Sequence, residues 1–268
     1  MAFASVNGQE LFYQDSGGDG YPIVMMHGFL MDHSLFDPQV AVLAPTYRCI
    51  RFDARAFGQT KWDGKSFNLY DTASDCVGLM DHLGIRHAII AGMSQGGYAG
   101  LRMALKYPER IKGLVLMSTS CVVDDEPTKA QYRGARDTWV NQGPVDDLID
   151  FTASALLGSK DAPGIAAHWA TWIPKWQQRS GNEMFHAMNN LIDRDNIENE
   201  VHQIQHPALI THGDADFGVP LALGEQLNKL LPKSQGLIVV PGAAHAANYT
   251  HPELINTALL DFMKKATH

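Results

Sequence analysis

A serine lies between two glycines in the pentapeptide at residues 92–96, Gly-Met-Ser-Gln-Gly. A largely apolar run at 87–91 precedes it, and a stretch of helical composition at 97–107 follows it. A serine at this spacing on a strand-to-helix turn is typical of a nucleophile for acyl transfer, because glycines permit a turn that is too sharp for side chains. We therefore expect a strained backbone at Ser94, a hydroxyl clear of the sheet, and a following N–H that can bind an anion.

A serine hydroxyl is a poor nucleophile near neutral pH, so it needs a base, and the base needs an acid that orients it. Asp216 follows an apolar run at 208–211, and His245 follows the next such run at 237–240. Because open parallel sheets place their ligand sites at the carboxyl ends of the strands, we expect both side chains near Ser94. The order and spacing predict a catalytic triad of Ser94, Asp216 and His245.

These motifs resemble those of the α/β-hydrolase superfamily over essentially the whole chain, with a helical insertion as the divergent part. Asp216 occupies the acid position of the pattern G-x-x-D-x-x-V-P at 213–220, and His245 closes a G-x-x-H pattern. The resemblance favours Asp216 over Asp214, whose alternative role on the same loop is that of a turn-forming carboxylate. It implies an α/β-hydrolase fold: a mostly parallel, twisted sheet with helices on both faces and a helical cap.

A second motif, His-Gly-Phe-Leu at 27–30, follows another predicted buried strand. In related hydrolases the residue after this glycine supplies an oxyanion N–H. The resemblance therefore implies that the N–H groups of Phe29 and Gln95 form the oxyanion hole. We expect the imidazoles of His27 and His212 to be structural hydrogen-bonding groups rather than catalysts.

The segment 53–60, DARAFGQT, corresponds to the D-x-R-G-x-G-x-S segment common in these enzymes, but it carries Ala56 for the first glycine and Thr60 for the serine. An alanine is strained if that position needs a positive φ, so the geometry of this loop stays open. Arg55 has two possible roles. It clamps a substrate carboxylate, or it pairs locally with a carboxylate such as Asp53.

Short apolar runs alternate with helical ones in the first third of the chain, which indicates a parallel sheet covered on both faces. We predict strands at 10–15, 22–26, 47–52, 88–91 and 114–117, and helices at 69–83 and after the serine turn. Residues 124–199 contain no buried-strand run, and strand–helix alternation resumes at 208 and ends in a helix at 252–265. The predicted division is a core at 1–122, a helical cap at 123–200 and a second core part at 201–268.

Composition and charge limit the kinds of partner. The 268 residues fit one large domain, and the net charge of −8 argues against nucleic acids or anionic membranes as partners. Three sparse cysteines favour a reducing compartment, and the N-terminus shows no secretory signal, so we expect a cytoplasmic protein. The motifs imply no metal ion and no cofactor, and the oligomeric state is left open.

The expected function is hydrolysis of a carboxylic ester or lactone through an acyl-enzyme, because a serine nucleophile supports acyl chemistry. The motifs most resemble those of small bacterial esterases, 3-oxoadipate enol-lactonases and cofactor-free haloperoxidase (perhydrolase) esterases. One alternative is hydrolysis of a C–C bond of the meta-cleavage type with the same triad. Another is a non-catalytic ligand-binding protein on the hydrolase fold.

A small hydrophobic or aromatic substrate is expected, because four of the five tryptophans fall in the predicted cap. In the alternative interpretation, these tryptophans only hold the cap to the core. The residues predicted to contact substrate are Leu30, Cys121, Trp139, Trp169 and Trp172.

Overall fold

The computed structural model describes residues 2–267. Eight strands form a single sheet in the order β1-β2-β4-β3-β5-β6-β7-β8. Pairings of β2 with β1 and with β4 are antiparallel, and all other pairings in the sheet are parallel. The strands are β1 (Ala2–Val6), β2 (Gln9–Asp15), β3 (Pro22–Met26), β4 (Arg48–Phe52), β5 (Ala88–Met93), β6 (Ile111–Met117), β7 (Ala208–Gly213) and β8 (Ser234–Val240).

Helices connect the parallel strands and cover the sheet. They are α1 (Asp37–Leu43), α2 (Leu69–His82), α3 (Gln95–Lys106), α4 (Glu126–Gln142), α5 (Asp146–Leu157), α6 (Ile165–Trp176), α7 (Gly181–Ile192), α8 (Leu221–Leu230), α9 (Ala247–Thr250) and α10 (Pro252–Thr267). Short 3-10 turns lie at His33–Phe36, Pro108–Arg110 and Val201–Gln203. Among residues 2–267, no helix is both long and apolar enough to cross a membrane.

The central strands are apolar on both faces because both faces are covered. Along β3, Ile23 and Met25 belong to one buried cluster, whereas Val24 and Met26 belong to a second cluster. Successive side chains of a strand point to opposite faces, so this division places one core on each side of the sheet. The first cluster includes residues of α10, and the second includes residues of α2 and α3.

The predicted strands and helices are present, with shifts of at most three residues at their ends. Three elements, β1, α1 and the four-residue helix α9, were not predicted. The strand β1 is a five-residue edge strand with mixed burial, and α1 is a seven-residue helix with a proline in its first turn. Segments this short carry too few positions to show a hydrophobic period.

Four helices, α4 to α7, lie between β6 and β7, and we call them the cap. Within the cap, α4 packs against α7 and α5 packs against α6. The buried residues of α6 are Ile165, Trp169, Trp172 and Trp176, which lie at helical spacing. The tryptophans of this helix therefore form its buried stripe.

Candidate active site

Ser94 occupies a sharp turn between β5 and α3, with φ +51° and ψ −114°. Its N–H donates to the carbonyl of Met117 at 2.8 Å, and its carbonyl accepts from the Tyr98 N–H and the Thr119 hydroxyl, each at 2.9 Å. A positive φ is costly for a serine and persists only where the surroundings hold it. These three hydrogen bonds keep the backbone of Ser94 in this conformation.

The flanking glycines are needed for close packing of this turn. A Cβ atom on Gly92 would collide with the carbonyl group of Gly96, and a Cβ atom on Gly96 would collide with the carbonyl oxygen of Met26. Neither glycine has a positive φ, so the requirement is space rather than backbone conformation.

Asp216 and His245 form a buried hydrogen-bonded pair on the loops that follow β7 and β8. The Nδ1 atom of His245 lies 2.7 Å from Oδ2 of Asp216, and each residue is only 5% exposed. The other carboxylate oxygen, Oδ1, accepts the Val219 N–H at 2.9 Å. The geometry gives His245 an N–H donor on Nδ1 and leaves Nε2 to act as a base.

His212 also lies beside the acid, a proximity that was not predicted. Its Nε2 atom is 2.7 Å from the Val219 carbonyl and 3.4 Å from Oδ2 of Asp216, and the side chain is completely buried. Burial alone would raise the pKa of Asp216, but His245, His212 and the Val219 N–H together bring that pKa well below its ordinary value. Asp216 is therefore a carboxylate, and His212 has the structural hydrogen bond expected of it.

Asp214 has a different environment from Asp216. Its side chain is exposed, and Oδ1 accepts the N–H of Gly242 at 2.6 Å. This bond joins the loop after β7 to the loop after β8, which is the turn-forming role described for Asp214 above. The structure thus pairs His245 with Asp216 and not with Asp214.

Backbone hydrogen bonds align the strand ends that carry the three triad residues. Beyond the bond from Ser94 to Met117, the Ser118 N–H donates to Thr211 at 2.8 Å, and the Asp214 N–H donates to Val240 at 3.2 Å. These bonds connect the carboxyl ends of β5, β6, β7 and β8 in their order across the sheet. Ser94 and the Asp216–His245 pair therefore extend from the same edge of the sheet.

The predicted oxyanion loop packs directly on the nucleophile. A Cβ atom on Gly28 would lie 3.3 Å from the Cβ atom of Ser94, so only a glycine leaves the two segments this close without strain. The turn is closed by the Met31 N–H, which donates to the Gly28 carbonyl at 3.1 Å. Across the described part of the chain, neither the Phe29 N–H nor the Gln95 N–H has a protein acceptor. Both are available as donors to an oxyanion.

His27 has the structural role expected of it. Its Nδ1 atom lies 2.8 Å from the Gly28 carbonyl, and its Nε2 atom accepts the Ala54 N–H at 3.0 Å. One ring nitrogen donates and the other accepts, so the imidazole is neutral. Complete burial lowers the pKa of His27 and favours the same state.

The backbone of the loop at 53–60 is strained at Ala56, the position where an alanine replaces the usual glycine. Ala56 has φ +66° and is 2% exposed, so an alanine occupies a left-handed position. Thr60 replaces the serine without loss of the hydrogen bonds, because its hydroxyl donates to the Asp53 carbonyl at 2.6 Å and accepts the Phe12 N–H at 2.9 Å. The loop keeps its connections to the sheet despite both departures.

Arg55 pairs with a different carboxylate from the one suggested above. Its Nε and terminal nitrogen lie 2.6 Å and 2.8 Å from the two oxygens of Asp75 on α2. The side chain of Asp53 instead accepts from the N–H and the ring Nδ1 of His33, at 2.7 Å and 2.8 Å. The suggestion of Asp53 as the partner was wrong, and the bidentate pair with Asp75 occupies the guanidinium.

The cap tryptophans are buried, and the indole hydrogen bonds of Trp139 and Trp169 favour the structural interpretation. The indole N–H of Trp139 donates to the Arg179 carbonyl at 3.2 Å, and that of Trp169 donates to the Gly158 carbonyl at 3.0 Å. The ring of Trp172 packs edge-on against Tyr249, with centroids 5.6 Å apart. Contacts of these three rings with substrate stay a prediction.

Leu30 and Cys121 differ in their relation to the nucleophile. Leu30 lies in the oxyanion loop and is 4% exposed. Cys121 packs in the buried cluster on the α2 and α3 side of the sheet, and burial raises the pKa of its thiol to about 11. Leu30 is therefore the better placed of the two to reach a substrate.

Asp32, His33 and Asp53 lie close enough together to suggest a metal site. However, their ligand atoms already have protein partners. Asp32 accepts from the Lys175 ammonium at 2.8 Å and from Ser34, and Asp53 accepts from His33. An ammonium group stands where a cation would bind, so the cluster is a network of ion pairs and hydrogen bonds.

A cavity of about 370 Å³ opens between the start of α2 and the end of α7. Its lining includes Phe67, Tyr70, Asn190 and Arg194, but none of the triad residues. Ser94 itself is 6% exposed beneath the cap. The cavity is therefore separate from the chemistry-bearing groups.

Comparisons with known proteins agree with this fold. A family model described as alpha/beta hydrolase fold matches residues 21–252. A Synechocystis protein provisionally named non-heme chloroperoxidase is 30% identical, and the match covers 95% of each chain. Among solved structures, a thermophilic esterase from Thermogutta terrifontis has a TM-score of 0.89 at 24% identity, covering 99% of this chain and 97% of that one. The enol-lactonase from Burkholderia xenovorans LB400 has a TM-score of 0.89 at 23% identity, covering 98% of this chain and 99% of that one.

Proposed function

The chain belongs to the alpha/beta hydrolase fold family, and from that membership we propose that it is a serine hydrolase of carboxylic esters or lactones that works through an acyl-enzyme. One observation carries the proposal: the buried 2.7 Å pair of Asp216 and His245 extends from the sheet edge that holds Ser94 in a strained turn. A nucleophile, a base and an orienting acid are the minimum set for this chemistry.

In the proposed reaction, Ser94 Oγ attacks the substrate carbonyl while His245 Nε2 takes the hydroxyl proton. The Phe29 and Gln95 N–H groups stabilise the oxyanion that develops on the carbonyl oxygen. His245 then gives the proton to the departing alkoxide, which leaves as an alcohol or stays attached as the opened arm of a lactone. Water hydrolyses the serine ester by the same route, and Asp216 keeps the imidazole oriented throughout.

We propose a small hydrophobic or aromatic substrate. The triad is nearly enclosed, and the neighbouring cap helices present an apolar, tryptophan-rich stripe towards the core. Two structures of the same fold are named as an esterase and an enol-lactonase, which supports the reaction class.

The decisive test compares the wild-type protein with Ser94→Ala and with Ser120→Ala as a matched buried-serine control. The substrates are a short p-nitrophenyl ester, an aryl ester, a lactone and a meta-cleavage dienoate. We expect ester or lactone turnover to fall by roughly 10³-fold or more in Ser94→Ala and to change little in Ser120→Ala. Full turnover by Ser94→Ala would exclude the proposal.

The same panel separates the two alternatives. Turnover confined to the dienoate would assign C–C bond hydrolysis instead. A protein whose Ser94 reacts with a fluorophosphonate but which turns over no substrate would be a ligand-binding member of the family.

A further inference from the structure

The oxyanion turn, residues 28–32, is bound to the last turn of α6 in the cap. The indole N–H of Trp176 donates to the carbonyl of Leu30 at 2.7 Å. The adjacent Lys175 ammonium lies 2.8 Å from Oδ2 of Asp32. Two consecutive cap residues, Lys175 and Trp176, thus hold the segment that carries the Phe29 N–H at two points, Asp32 and Leu30.

This turn needs to be held because Leu30 has φ +61°. A left-handed conformation costs a residue with a Cβ atom roughly 1–2 kcal/mol, so lower-energy backbone conformations compete with it. Rotation at Leu30 would turn the peptide groups on either side of it, and through Phe29 it would shift the next peptide group, which carries the Phe29 N–H. The hydrogen bond from Trp176 opposes that rotation at the Leu30 carbonyl itself.

The contact between turn and helix is tightly packed. Trp176 is 1% exposed, and the cavity between the two segments is only about 20 Å³. That volume is close to the space of one water molecule, which can replace the indole as a donor but is not fixed to the cap. Loss of the indole therefore releases the Leu30 carbonyl from the cap and allows the turn to rearrange.

We propose that Trp176 is a positioning residue for the oxyanion hole: its indole N–H fixes the Leu30 carbonyl and thereby aims the Phe29 N–H. The inference rests on the proposed function for its catalytic meaning. Because an oxyanion donor gains most when charge develops in the transition state, loss of the hold lowers kcat much more than it changes KM. The position of the cap on the core and the orientation of the Phe29 N–H in the oxyanion hole are then linked through one hydrogen bond.

Trp62 provides a matched control. Its indole N–H also donates to a backbone carbonyl, that of Lys65, at 2.9 Å, and Trp62 is not among the residues predicted to contact substrate. This bond lies within one loop of the core, whereas the bond from Trp176 joins the cap to the oxyanion turn. Replacement of either tryptophan by phenylalanine removes the donor and keeps an aromatic ring.

The experiment compares Trp176→Phe with Trp62→Phe in the full chain. Since removal of an entire oxyanion donor costs about 10²–10³-fold, we expect displacement of one to lower kcat by roughly 10- to 100-fold in Trp176→Phe, with KM within about threefold. The rate at which a fluorophosphonate labels Ser94 should fall by a similar factor, because its phosphoryl oxygen occupies the same hole. The control variant should retain the wild-type rates.

Hydrogen–deuterium exchange of a peptide covering 27–33 gives a readout that needs no turnover. We expect faster exchange in Trp176→Phe than in the wild type and in Trp62→Phe. Unchanged exchange, or faster exchange with unchanged kcat and labelling, would overturn the positioning role. A wild-type protein that neither labels nor turns over substrate would instead remove the proposed function, while the exchange data would still decide whether Trp176 holds the turn.

Discussion

At the scale of single residues, the acid of the site is defined by its neighbours rather than by its position on the loop. Asp216 and Asp214 lie two residues apart, yet one is buried against His245 and the other is exposed. Asp216 stays ionised although it is buried, because the neighbouring imidazoles and the Val219 N–H lower its pKa. The imidazolium that forms during acyl transfer is therefore opposed by a fixed negative charge.

Replacement of each aspartate by asparagine tests this assignment. Asp216→Asn should lower kcat/KM by about 10³- to 10⁴-fold, because an amide no longer holds His245 in the tautomer that can take the serine proton. Asp214→Asn should leave kcat/KM within about threefold, because an amide oxygen can still accept the Gly242 N–H. Steady-state kinetics on a p-nitrophenyl ester gives both values, and a reversed order of effects would reassign the acid.

At the scale of elements, the loop at 53–60 shows how a hydroxyl can join two strands. Thr60 accepts from the Phe12 N–H on β2 and donates to the Asp53 carbonyl just beyond β4. Ala56 in the same loop keeps a left-handed φ, so this strained backbone depends on its surrounding contacts. Side-chain bonding at Thr60 is one of those contacts.

Thr60→Val, compared with Thr60→Ser, measures that contact. Valine keeps the shape but leaves the Phe12 N–H and the Asp53 carbonyl without this partner, so we expect a loss of about 1–3 kcal/mol in the free energy of unfolding. Serine retains the hydroxyl and should cost less than about 1 kcal/mol. Urea unfolding followed by circular dichroism provides the comparison, and equal losses in both variants would show that the hydroxyl contributes nothing.

At the scale of the whole molecule, the cap is attached to the core through charged as well as apolar contacts. Asp32 of the core pairs with Lys175 of the cap. Burial alone would raise the pKa of Asp32, but Lys175 and Ser34 lower it below its ordinary value on balance. A carboxyl whose folded pKa is lowered stabilises the fold fully above its unfolded pKa, near 3.9, and this contribution disappears as the pH falls through the folded value.

Asp32→Asn tests this attachment without removing the N-cap that Asp32 gives to the following turn. At pH 7 we expect a loss of about 1 kcal/mol in the free energy of unfolding, because Lys175 is 37% exposed and solvent screens the pair. The difference from wild type should shrink towards zero as the pH falls below about 4. Urea titrations across this range, with Glu126→Gln as an exposed ion-pair control, give the values; a difference independent of pH would exclude the charge as its cause.

Local patterns of residue types were sufficient to predict several elements of this fold. Apolar runs and helical periods predicted the central strands and long helices, because buried β-strands and amphipathic helices impose these patterns on neighbouring residues. The turn around Ser94 was predictable for a similar reason, since its glycines and strained serine are adjacent in the chain. The order of the acid and base loops after successive strands indicated one shared edge of the sheet.

Contacts between residues that are far apart in the chain could be identified in the folded structure alone. Trp176 and Leu30 are 146 residues apart, and the partner of Arg55 lies on a helix rather than at the expected Asp53. The proximity of His212 to Asp216 likewise depends on how the loop after β7 folds back on its strand. Such contacts are set by side-chain directions and by close packing between separate elements, and a local pattern of residue types does not encode either.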